Sequence, residues 1–70
     1  MICELSASYS WKKNRVRHLE FGKVELDLSR EEMTRLQKDP QARVLLFKER
    51  MGCGIDEILG NGVQLKMLPA

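Results

Sequence analysis

The stretch that most restricts the fold is Lys23 to Pro40, KVELDLSREEMTRLQKDP. Val24, Leu26 and Leu28 alternate with Lys23, Glu25 and Asp27. A repeat of two turns one side of an extended chain to water and the other to a core, so this piece reads as a strand. Ser29 ends the alternation and opens a helix. Its hydroxyl can accept from the backbone N–H three residues on, and Glu32 can reach back to the Ser29 N–H, which makes a capping box. Leu28 before the cap and Met33 at the fourth helical position have the spacing of a hydrophobic staple. Glu31 and Glu32 in the first turn and Lys38 in the last suit the helix dipole. Pro40 stops the helix and pushes Asp39 out of the α region. The expected helix is therefore Arg30 to Lys38. Its apolar stripe, Met33 and Leu36, is narrow and fits a helix lying on a sheet.

The flanking segments read mostly as strands. Val44, Leu45, Leu46 and Phe47 are apolar on both faces, as in a central strand. Near the start, Cys3, Leu5, Ala7, Tyr9 and Trp11 alternate with Glu4, Ser6, Ser8 and Ser10. That predicts a long strand with odd positions inward. Lys12, Lys13 and Asn14 fit a hairpin turn, and Arg15 to Phe21 the returning strand. Its parity is open: Leu19 and Phe21 put odd positions inward, but Arg15 and Arg17 share that parity and Val16 does not. A twist, a bulge, or a tip reaching beyond the core would reconcile them. Gly22, between Phe21 and an even-inward Val24, is expected to be a turn or bulge. Gly52-Cys53-Gly54 reads as a loop, and Ile55 to Leu59 as one helical turn or a short strand. Gly60-Asn61-Gly62 signals a hairpin into a last strand through Val63, Leu65 and Met67.

The expected architecture is one α+β domain spanning 1–70. A small, mainly antiparallel sheet of about four to six strands carries one α-helix packed on it. The expected core is Leu5, Ala7, Tyr9, Leu19, Phe21, Val24, Leu26, Leu28, Met33, Leu36, Val44, Leu46, Val63 and Leu65.

A chain of 70 residues buries only about 60% of its unfolded surface, which makes a homo-oligomer a reasonable source of added stability. The net charge of +2 selects no partner class. Cys3 and Cys53 fit no zinc spacing and read as two thiols in a reducing cytosol. Ile2 to Trp11 contains Glu4 and several serines in place of a leader's apolar core. The longest apolar run, Val44 to Phe47, is too short for a membrane span.

Chemistry finds little purchase. The glycines form no phosphate loop. One histidine and two distant cysteines are a poor metal set. Cys53 between two glycines would need a base to become a nucleophile, and nothing places His18 beside it. Asp56 and Glu57 are adjacent, so in a strand they face opposite ways, which is wrong for a paired acid and base. No catalytic, cofactor or metal site is expected. The candidate contact residues are Trp11, Lys12, Lys13, Arg15 and Arg17, cations beside an aromatic ring that can grip phosphates and stack on a base. The plainer reading is a solvated hairpin tip with Trp11 in the core. The acidic stretch that follows, Glu20, Glu25, Asp27, Glu31 and Glu32, segregates charge in a way that suits a protein partner or self-association. An open sheet edge offers a further route, by strand addition.

Residues 22 to 47, GKVELDLSREEMTRLQKDPQARVLLF, resemble a segment of small α+β proteins of Mu-like prophages. The shared pattern is a short strand, a Ser or Thr with acids, a helix holding a leucine, an Asp-Pro stop, and a strand ending in valine. Leu28, Ser29, Glu31, Glu32, Leu36, Asp39, Pro40 and Val44 match it. The Trp11 hairpin and Cys53 to Ala70 lie outside it. The resemblance implies a phage or prophage origin and a small curved sheet, and brings no enzymatic residues with it. The expected function is a small non-enzymatic phage-type protein that binds a host or virion protein, or a copy of itself, in the bacterial cytoplasm or the virion. The alternatives are a nucleic-acid-binding protein using hairpin 12–17 and a structural virion component.

Overall fold

A single long hairpin sets the dimensions of the molecule. In the computed structural model, which describes residues 1–52 and 54–69, β1 (Ile2–Lys13) pairs antiparallel with β2 (Val16–Asp27) at every position from Ile2–Asp27 to Lys13–Val16. Strands of this length run about 40 Å at 3.3–3.4 Å per residue, and the long axis of the protein measures 41 Å. Lys12 and Lys13 belong to β1. The turn is Asn14-Arg15, with φ of +52° and +66°. Two consecutive positive φ values give the turn a twist that matches the strands it joins.

β2 continues unbroken through Gly22, which is neither a turn nor a bulge. Gly22 pairs with Ala7 and faces the helices. A Cβ there would lie 2.8 Å from Met51 Cε, 2.9 Å from Tyr9 Cε1 and 3.3 Å from Phe47 Cζ. The missing side chain is what lets these groups meet the sheet. An unbroken strand keeps one parity, so Gly22 and Leu26 are buried and Val24 half-buried. Leu19 and Phe21, expected in the core, lie on the opposite face and are 67% and 60% exposed.

The first helix, α1 (Arg30–Lys38), has the expected bounds. Ser29 Oγ accepts from Glu32 N at 3.2 Å, and Glu32 Oε1 accepts from Ser29 N at 3.2 Å. Met33 and Leu36 are its buried residues. The next segment corrects the sequence reading: Val44 to Phe47 are not a strand but lie in a second helix, α2 (Pro40–Met51). Asp39 ends α1 and caps α2, its Oδ1 accepting from Gln41 N at 3.1 Å and Ala42 N at 3.2 Å. Pro40 takes the first helical position, where no N–H is needed and the fixed φ is already helical. It is both a stop and a start. Phe47 is fully buried, and its ring meets Tyr9 edge-on, centroids 6.0 Å apart.

β3 (Ile55–Ile58) and β4 (Gln64–Met67) are strands, but not a hairpin with each other. Both pair antiparallel with β1 along the edge away from β2, β3 with Tyr9 to Trp11 and β4 with Cys3 to Ser6. They are two halves of one interrupted strand. β1 advances three residues from Ser6 to Tyr9 while the other chain advances six, from Ile58 to Gln64. The excess loops out through Gly60 and Gly62, both at positive φ, and returns at the buried Val63. The fold is α+β: a four-stranded antiparallel sheet with two helices on one face. Cys3, Leu5, Ala7 and Tyr9 of β1 and Leu26 of β2 supply the sheet's share of the core.

Candidate functional site: the bare face and outer edge of β2

Helices cover only one face of the sheet, so every second residue of β1 and β2 points the other way. On β2 these are Arg17, Leu19, Phe21, Lys23, Glu25 and Asp27. On β1 the three in the middle are small: Ser10 stands opposite Leu19, Ser8 opposite Phe21 and Ser6 opposite Lys23. Serines cannot cover their large cross-strand neighbours, which leaves Leu19 and Phe21 standing proud. Lys23 Nζ lies 5.9 Å from the Phe21 ring centroid, near the outer reach of a cation–π contact. Phe21 also forms one wall of a shallow groove of about 190 Å³, floored by Ser6 and Ser8 and closed by the 59–62 loop.

The backbone of β2 has a matching asymmetry. Leu28 N donates to Met1 O at 2.8 Å, so even-numbered residues of β2 exchange hydrogen bonds with β1. In an antiparallel pair the groups alternate. The N–H and C=O of Arg17, Leu19, Phe21, Lys23 and Glu25 therefore point away from β1. No strand pairs with that edge among the described residues.

The five contact residues expected from the sequence do not form one surface. Trp11 points to the helix side, where its ring stacks on His18 with centroids 4.3 Å apart and planes 17° apart. Its Nε1 is buried and finds no hydrogen-bond partner among the described residues. Lys13, opposite Val16, shares that side. Lys12 and Arg17 are cross-strand neighbours on the bare face. They share a groove of about 240 Å³ with Ser10, Asp56 and Glu57. Arg17 Nη2 donates to Glu57 Oε2 at 3.2 Å and to Ser10 Oγ at 3.5 Å. Acids thus lie against two of the cations. Arg15 stands in the turn itself. Leu19, Phe21 and the outward edge were missed because the parity of β2 was open; a strand unbroken at Gly22 settles it.

An apolar groove of about 620 Å³ at the other end of the sheet, between Ile2 and Met67, contains no titratable side chain. The thiol of Cys3 is free and buried in the core, and the reading of Cys53 lies outside the described residues. Among the described residues, no three His, Cys, Asp or Glu side chains gather as a metal would require, and no helix is long and apolar enough to cross a membrane. Comparison with protein-family models, curated proteins and solved structures finds no match.

Proposed function

We propose that this chain is a small non-enzymatic binding protein that works by presenting the bare face and outer edge of β2 to another protein. The observation behind this reading is the exposure of Leu19 and Phe21 on a regular strand whose outward backbone groups are unpaired among the described residues. Large apolar side chains beside an open edge are a liability unless something covers them. Strand addition satisfies both needs at once, through main-chain hydrogen bonds and contact with alternate side chains. A phage or prophage origin is supported by the resemblance of residues 22 to 47, and would make a host or virion protein the natural partner class.

The test compares the wild-type chain with the Leu19→Ser/Phe21→Ser double variant as bait in bacterial lysate, with light scattering on both. The wild type should retain a protein, or itself, that the variant releases. Equal behaviour of the two baits, each a monodisperse monomer, counts against the reading.

A further inference from the structure

The outward-facing side of β2 is complementary to itself. In chain order its bare-face residues, with Arg15 of the turn before them, are Arg15, Arg17, Leu19, Phe21, Lys23, Glu25 and Asp27. Cations stand at one end, acids at the other, and apolar side chains in the middle. An antiparallel copy reverses that order, so each basic end meets an acidic end.

We infer that β2 pairs antiparallel with β2 of a second copy of this chain, about a twofold axis at Phe21, to make one continuous sheet across two molecules. This inference rests on reading the β2 surface as a protein-binding one. The edge geometry permits this pairing. The outward N–H and C=O groups belong to odd-numbered residues, and a twofold at Phe21 sets odd against odd, as a hydrogen-bonded antiparallel pair requires. Phe21 faces Phe21 of the second copy, and cross-strand aromatic pairs are favourable. Arg17 faces Glu25 and Leu19 faces Lys23, each twice by symmetry, and the Arg15 turn lies at the Asp27 end of the second copy. On the helix side Val16 faces Leu26, His18 faces Val24, and Glu20 faces Gly22. No like charges meet.

Neighbouring registers are poorer. Moving the axis to Glu20 sets Glu20 against itself and Arg17 against Lys23. Moving it to Gly22 keeps Arg17 with Asp27 but breaks the aromatic pair, setting Phe21 against Lys23 and Leu19 against Glu25. Like charges opposite one another destabilise a strand pair, and opposite charges favour it. Arg17 now reaches across Ser10 to Glu57 on β3, so meeting Glu25 of the second copy means exchanging that contact; the present pair is exposed, and exposed pairs contribute little. Arg15 adds a separate indication. It occupies φ +66°, a conformation that glycine adopts without strain and other residues rarely do.

The experiment is a charge exchange read by sedimentation equilibrium. Arg17→Glu and Glu25→Arg should each weaken the wild-type dimer about tenfold or more, because each substitution changes two symmetric pairs. Mixing the two single variants should restore association, since in the mixed dimer both pairs are again opposite in charge. The double variant should dimerise as well. Thermal unfolding of each variant checks that it is folded. Amide exchange at Leu19, Phe21 and Lys23 should slow as protein concentration rises. A wild-type chain that stays monomeric overturns the inference, as does a dimer indifferent to the exchange. If such a monomer still captures a lysate protein through Leu19 and Phe21, the binding reading stands and only the second copy is lost. If it captures nothing, both fall.

Discussion

Arg43 Nε donates to the carbonyl of Val63 at 2.8 Å, from one side of the molecule's two-helix layer to the loop between β3 and β4. Nη1 of the same side chain donates to Leu36 O at 2.7 Å and Gln37 O at 3.0 Å. Those two carbonyls lie in the last turn of α1, where a helix has no N–H donors of its own to offer them. One guanidinium therefore finishes α1, anchors α2 beside it and pins the loop that returns β4 to the sheet. Arg43→Ala should lower stability by about 2–3 kcal/mol, as charged hydrogen bonds to partly buried carbonyls do. Urea unfolding measures it. Arg43→Lys should recover only a fraction, because an ammonium lacks the planar fork that reaches two helix carbonyls and a loop together.

Gly22→Ala should destabilise by about 1–3 kcal/mol, the usual penalty for overpacking, since the new methyl would meet Met51, Tyr9 and Phe47. Met51→Ala in the same chain should recover part of the loss. The Tyr9 ring would still stand 2.9 Å from the new carbon, so recovery should stay incomplete. A double-mutant cycle by thermal melts reads the coupling.

The two helix starts can be weighed separately. Ser29→Ala removes one capping box and Asp39→Ala the cap of α2, and each should cost about 1 kcal/mol. Asp39→Asn should be close to neutral, because an amide oxygen can accept the same two bonds.

Arg15→Gly should stabilise the isolated fold by about 1 kcal/mol, through relief of the left-handed backbone at φ +66°. The same change removes a cation from the basic end of the β2 surface. A rise in melting temperature of the monomer with weaker association is the expected combination.

The sequence signals succeeded where a single local rule sufficed. The alternation of Cys3 to Tyr9 placed those side chains on the correct face, and the Ser29–Glu32 box fixed the start of α1. They failed where one pattern admits two structures. Pro40 ends one helix and begins the next with equal ease, and a short apolar run such as Val44 to Phe47 has no period to separate a buried strand from a buried helix. Asp39 before Pro40 was the signal that would have decided it, as an N-cap. The Gly60-Asn61-Gly62 turn has the chemistry of a hairpin, but β1 already offers a long partner edge to both flanking strands, and it wins. At the candidate surface the residue types were legible and their faces were not. A strand seen alone does not say whether its glycine is a corner or a vacancy left for a ring from α2.

The looped excursion at Gly60 to Gly62 has an architectural effect well away from itself. It breaks the rim of the sheet on that side into two four-residue pieces, and very short edge strands are poor templates for another molecule. Among the described residues the opposite rim, β2, is the long one, with 12 residues. A protein with two good rims could stack indefinitely into a filament; one with a single good rim closes after the first union and has nothing left to extend.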